Sequence, residues 1–317
     1  MANFAVENLA LVKLETNYGV DAVPTANDAI LCTEPVIPEM RGEVITESLV
    51  RPFMGGQRQM VVGEHYAVNF KVEVNGSGAA GTAPRYGSLL QASRHAMTTV
   101  ATTSNTYSEI STIGAASTSV TCYIWYNGSR HAITGWRGSS VTFELVDNDK
   151  GYFTFQGLGI YAGPVTTALP TYTFSTTAPL ALPVTLGNTL NINIAGYSAG
   201  YLQSFRVTLT NDTIYKSRPG GAREVLITGM QTTTFEVVYE APLQSVFDPF
   251  AAALTNTTGA LSVTQGTTNG NRVAFAAARA KTLIPSYESD NGVVMMRVPG
   301  ILLPSTTGND GHTFAFT

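Results

Sequence analysis

The chain has 317 residues, and its charged share of 13% is about half that of an ordinary soluble domain. The formal net charge is −4, no run of Lys or Arg occurs, and no apolar stretch reaches the length of about 18 residues that a membrane helix needs. These features argue against tight binding to nucleic-acid phosphates and against membrane insertion. The two cysteines, Cys32 and Cys122, make neither a disulfide framework nor a metal site by themselves, and read as buried free thiols of a reducing compartment.

Threonine is abundant and the strong helix builders are sparse, which predicts a mainly β chain. The start, Met1 to Glu15, lacks the basic and apolar regions of a secretory leader. Residues 1–40 read as an arm followed by short extended pieces, because Pro24, Pro35 and Pro38 break helices. From Tyr66 to Val74 apolar residues hold the even positions, so a strand with one face on a core is predicted. Asn75 to Pro84 is a Gly/Ala loop, and Tyr86 to Met97 is the helix candidate of the first half. Thr98 to Ser119 reads as a loop with an edge strand. Asn127-Gly128 between apolar runs predicts a tight hairpin, and residues 147–151 predict another turn. Residues 164–190, rich in Pro and Thr, read as the connection between two domains, 1–165 and 166–317.

An internal repeat supports that division. With an offset of 165, residues 41–74 fall on 206–239 without a gap. Arg41 meets Arg206, Gly55-Gly56-Gln57-Arg58 meets Gly220-Gly221-Ala222-Arg223, and Phe70 and Val72 meet Phe235 and Val237. A helix candidate follows in each half, Tyr86–Met97 and Phe247–Leu254. Further on, Asn127-Gly128-Ser129-Arg130 aligns with Asn269-Gly270-Asn271-Arg272, Arg137 with Arg279, and Gly159-Ile160 with Gly300-Ile301. The expected fold is two tandem β-sandwich or partly closed barrel domains, each with a flanking helix.

Chemistry-bearing patterns are scarce. His65, His95, His131 and His312 stand in no metal-binding spacing and read as surface residues. Gly157-Leu158-Gly159 lies inside a strand-like run, which favours close backbone approach over phosphate binding. Asp147 and Asp149 lack the further ligands of a calcium loop. No catalytic, cofactor or metal residue is assigned, and no enzyme activity is expected. Tyr123, Trp125, Tyr126 and Trp136 fit cross-strand packing or a sugar-binding platform.

The run Leu14-Glu15-Thr16-Asn17-Tyr18-Gly19-Val20-Asp21-Ala22-Val23-Pro24 resembles the start of bacteriophage tail tube (major tail) proteins of long non-contractile tails. Arg51-Pro52-Phe53-Met54-Gly55-Gly56, the strand ending Phe70-Lys71-Val72-Glu73-Val74, and Arg85 to Ser93 resemble that family too, most clearly over residues 10–165. The resemblance implies β-sandwich subunits whose rings stack into a tube that DNA crosses during ejection. It implies a virion tail protein assembled in the host cytoplasm, with itself, tape-measure, tail-tip and terminator proteins as partners and with transient, non-specific passage of DNA. A duplicated chain then predicts a homotrimeric ring with pseudo-sixfold symmetry, with a homohexamer as the alternative. Expected lumen-facing residues are Asn69, Lys71, Glu73, Thr234, Glu236 and Glu240. Expected ring-stacking hairpins carry Gly55, Gly56 and Arg58, and Gly220, Gly221 and Arg223. The arm 1–40 is expected to pack on a neighbour. A tail terminator, decoration or baseplate protein and a carbohydrate-binding adhesin are the competing readings.

Overall fold

The computed structural model describes residues 8–112, 118–175, 178–198, 201–255 and 257–317. The first half runs β1 (Leu9–Leu14), β2 (Ala29–Ile30), β3 (Glu39–Thr46), β4 (Gln59–Glu73), α1 (Gly87–Ala92), β5 (His95–Val100), β6 (Ser104–Glu109), β7 (Val120–Tyr126), β8 (Ser129–Val146), β9 (Tyr152–Ile160) and β10 (Pro164–Thr166). The second runs β11 (Thr189–Ile194), β12 (Tyr197–Ser198), β13 (Leu202–Thr210), β14 (Thr213–Lys216), β15 (Glu224–Ile227), β16 (Thr232–Glu240), α2 (Pro249–Leu254), β17 (Gly259–Gln265), β18 (Val273–Thr282), β19 (Ser286–Asp290), β20 (Val293–Leu302) and β21 (Thr313–Phe316). The chain is mainly β, in large antiparallel sheets that do not close into a barrel.

Eight strands form the spine in the order β3-β4-β9-β8-β13-β16-β20-β19. The first four belong to the first half of the chain and the last four to the second. They meet at one seam, where Ser140 to Val146 of β8 pair antiparallel with Ser204 to Thr210 of β13. One face of this sheet is apolar because alternate residues on each strand are apolar. Val72, Phe153, Phe143, Val207 and Phe235 follow one another across that face. Phe143 touches Phe205 across the seam, with ring centroids 6.1 Å apart, so both halves share one core.

The long strand β8 leaves the spine at its N-terminal end to pair with β7. Asn127 and Gly128, at φ 55° and 70°, close the β7–β8 hairpin as the Asn-Gly signal predicts. β18 likewise serves β17, β20 and β21. The C-terminal β21 pairs with β6 as well as with β18, stitching the two halves a second time.

Three expectations change. The helix expected over Tyr86–Met97 ends at Ala92, because Arg94 turns the chain at φ 65° and His95–Val100 becomes β5. The Thr98–Ser119 stretch holds the rest of β5 and all of β6, with residues 113–117 outside the described residues. The N-terminal segment is no arm beyond Asn8: β1 lies buried in its own chain's sheet, with Leu9 opposite Trp125 and Leu14 opposite Val120. Residues 1–7 lie outside the described residues.

Candidate assembly surface

The second face of the spine is polar, and its side chains form rows that cross the seam. Asn69, Gln156, Ser140, Thr210 and Thr232 make one row. Lys71, Thr154, Thr142, Thr208 and Thr234 make the next, and Glu73, Tyr152, Glu144, Arg206 and Glu236 the third. Five of the six expected lumen residues therefore share three rows of one face. Glu240 stands further along β16, exposed at its end.

Charge on this face is largely paired. Arg206 reaches Glu144 across the seam at 2.5 Å, Lys150 reaches Glu73 at 2.5 Å, and Arg297 contacts both Glu236 (3.0 Å) and Glu288 (2.5 Å). Lys71 bonds Glu34 at 2.8 Å, which holds its ammonium charged to a higher pH than usual, and it lies 4.9 Å from the centre of the Tyr152 ring. All these groups are partly solvated, so the pairs set alignment more than stability. Between the charges the surface is hydroxyl-rich and offers few cations to a phosphate chain.

The two outer edges are open. Among the described residues β3 pairs only with β4, and β19 only with β20. Every residue of β3 is exposed. An open edge with unpaired N–H and C=O groups is a template for another strand.

The two Gly-Gly hairpins differ. Gly55, Gly56 and Arg58 sit in the tip joining β3 to β4, exposed together with Val50, Phe53 and Met54. Gly220 (φ 73°) and Gly221 turn the tip between β14 and β15. That second hairpin folds back on the first half: Arg223 bonds Glu64 at 2.5 Å, and Tyr215 stacks on His65 with centroids 4.6 Å apart. Arg137 donates to the Val225 carbonyl at 2.5 Å and lies over the Tyr18 ring.

The chain matches the phage tail tube protein family over residues 7–309, nearly its whole length. It belongs to that family. No curated protein matches. The tail tube chain is accordingly a structural component of the virion tail, and membership implies self-association into a tube. No helix among the described residues is long and apolar enough to cross a membrane.

The Leu14–Pro24 run of this tail tube chain is a clasp. Buried Glu15 accepts from the Gly19 and Gly135 amides at 2.7 Å, from Ser119 Oγ at 2.6 Å and from Thr121 Oγ1 at 2.9 Å. Tyr18 Oη accepts from the Val225 amide at 2.5 Å, tying the second hairpin to the N-terminal turn. Asp21 bonds Tyr123 Oη. Reading residues singly missed this role, because all partners but Gly19 are distant in sequence.

The other candidates resolve structurally. Trp136, Trp125 and Tyr123 are buried and Tyr126 is half-buried, so three of the four aromatics are packing and form no exposed sugar platform. A Cβ on Gly157 would lie 2.5 Å from the Trp136 ring, the close approach expected there. Asp149 bonds the Lys150 amide within its turn, and the described residues hold no group of three or more potential metal ligands. His95 and His312 are not surface residues: both are fully buried, with Nε2 atoms 3.0 Å apart. His95 Nδ1 lies 3.1 Å from the Leu90 carbonyl, an acceptor, so Nδ1 carries the proton and the bare Nε2 accepts from His312. Burial pushes His95 down to about 4 and His312 well below its ordinary value. Neighbouring Glu109 is raised by burial.

Proposed function

We propose that the tail tube chain closes into a ring by pairing β19 of one copy with β3 of the next. The observation that carries this reading is the seam: β8 and β13 already join two strand quartets in one chain, and the quartets' outer edges are open. We read the quartets as two copies of one tube domain, in the halves 1–165 and 166–317. Three chains then supply six quartets, giving a homotrimeric, pseudo-sixfold ring. With strands about 4.8 Å apart, the resulting 24 strands make a ring roughly 37 Å across at the backbone. Six chains would make it about twice as wide.

The polar rows then face the lumen through Asn69, Lys71, Glu73, Thr234 and Glu236, with Glu240 further along β16, and the shared core faces outward. A wall of hydroxyls and paired charges holds DNA weakly during ejection, because few free cations meet its phosphates. The exposed tip at Gly55, Gly56 and Arg58, and the turn at Gly220 and Gly221, support contacts between rings, while Arg223 is held by Glu64 of its own chain; tape-measure, tail-tip and terminator proteins sit at the tube's ends. Assembly takes place in the host cytoplasm. Negative-stain electron microscopy of the concentrated protein tests the reading: tubes of variable length with an end-on hole support it. Particles of one fixed size would instead indicate a terminator or baseplate protein, and monomers alone at every concentration would refute the assembly.

A further inference from the structure

The free hairpin β3–β4 carries apolar side chains on both of its faces. Val44 stands opposite Val61 on one face, and Ile45 opposite Met60 on the other, all four exposed. A two-stranded ribbon standing alone is at best marginally stable in water, so this one calls for a partner surface. Arg58 lies beside these pairs. Its carbonyl accepts from the Glu47 amide, while the Glu47 carboxylate is taken by Arg51 at 3.4 Å. The Arg58 guanidinium is exposed and has no ion-pair partner among the described residues. A surface of opposite charge and like polarity lies at the other end of the spine. Four antiparallel steps separate β4 from β16, so the two strands run the same way. The hairpin precedes β4, whereas Glu240 closes β16. Around Glu240 the surface is apolar: its amide donates to the Tyr201 carbonyl, the Ala241 amide to the Val294 carbonyl, and the Val246 amide to the Leu243 carbonyl. Tyr201, Leu243, Val246 and Val294 are each more than half exposed. The Glu240 carboxylate is exposed and unpaired among the described residues.

We propose that the β3–β4 hairpin of one copy docks head-to-tail on the Glu240 end of a copy in the next ring, with Arg58 pairing with Glu240 and the hairpin's apolar side chains covering Tyr201, Leu243 and Val294. The partner is a second copy of this chain, since family membership implies self-association, and the proposal rests on the tube reading above. Each chain offers a free hairpin at one end and an acidic, apolar rim at the other, so charge and polarity both match between copies. A contact between two different surfaces is heterologous: every copy that adds leaves the same surface open, and a stack grows without limit. The apolar surround supplies the attraction, and the ion pair sets which residues meet. The second Gly-Gly hairpin cannot compete for the site, because Arg223 is bound to Glu64 of its own chain. Glu240 is thereby given a role that its place beyond the polar rows does not supply.

Charge reversal in the full-length chain tests the contact. Arg58→Glu and Glu240→Arg, both at exposed positions, each set like charges against one another. Each is expected to raise the concentration at which tubes appear, read by sedimentation and negative stain, by about tenfold or more. The double variant, with both charges reversed, is expected to form tubes at the concentration of the unaltered chain. Native mass spectrometry of the single variants should still show closed rings, because the contact lies between rings and not within them. Single variants that form tubes like the unaltered chain, or a double variant no better than either single one, would overturn the docking and leave the ring reading standing. Single variants that lose their rings together with their tubes would overturn it too, by placing these residues inside the ring. Absence of both rings and tubes from the unaltered chain would remove the docking and the ring reading alike.

Discussion

The two Gly-Gly hairpins occupy equivalent places in the two halves, yet one is spent within the chain and the other is free. β14–β15 lies against the first half through Tyr215, Arg223 and the Val225 carbonyl. The β3–β4 hairpin extends as a two-stranded ladder with one bulge, closed by the Glu47 amide on the Arg58 carbonyl, and leaves Val50, Phe53 and Met54 in solvent. A monomer has no use for such a cluster on an open edge. The docked hairpin therefore contributes to folding, whereas the free hairpin's apolar residues Val50, Phe53 and Met54 stay in solvent within the chain.

That contrast can be broken from the docked side first. Glu15→Ala removes the acceptor of four hydrogen bonds in the clasp that holds the N-terminal turn and, through Tyr18, the second hairpin. Urea unfolding should show a loss of about 3–5 kcal/mol, since buried donors are left unpaired. A loss below about 1 kcal/mol would mean that the clasp is not structural.

Acid gives the next effect, at the join made by β21 and β6. His95 is neutral in the folded chain and titrates there only near pH 4, whereas the unfolded chain takes up a proton near pH 6.5. Stability is therefore fully present above about pH 6.5 and falls as the pH drops towards 4, by on the order of 3 kcal/mol from His95. His312 adds in the same direction. Glu109, raised by burial, opposes part of it, because its folded form holds a proton that the unfolded form has released. Denaturant midpoints measured at intervals from pH 7 to 4 check the sign, and a flat profile would contradict the buried histidine pair.

How much of this was legible beforehand depends on the range of the interaction. The β7–β8 turn, the alternation in β4 and the Gly157 contact are set by neighbours in sequence or by strand phase, and reading the chain finds them. β1 escapes such a reading because Leu9–Val12 is an unbroken apolar run, buried on both faces, that carries no alternation. The histidine pair joins residues 95 and 312, and the Glu15 clasp spans up to Gly135. No local spacing announces such pairs. The seam itself, β8 on β13, was visible only as a repeat without a hint of how the copies meet.

Tyr215→Ala should cost the isolated chain about 1–2 kcal/mol through the lost stack on His65. On the free hairpin, Val50→Ala should change chain stability by less than about 0.5 kcal/mol, because the side chain is solvated. Equal losses in thermal unfolding would abolish the distinction. The smallest effect belongs to the seam's ion pair: Arg206→Ala should cost less than about 1 kcal/mol, fading with added salt, because both partners remain partly solvated. A larger, salt-independent loss would mean that the seam depends on charge more than on strand pairing and the shared core.

The most direct test of the account is the mass of a single ring by native mass spectrometry. Three chains of 33.6 kDa are expected, each giving two of the six strand quartets around the hole. A ring of six chains would contradict the reading that one chain spans two positions of the tube wall.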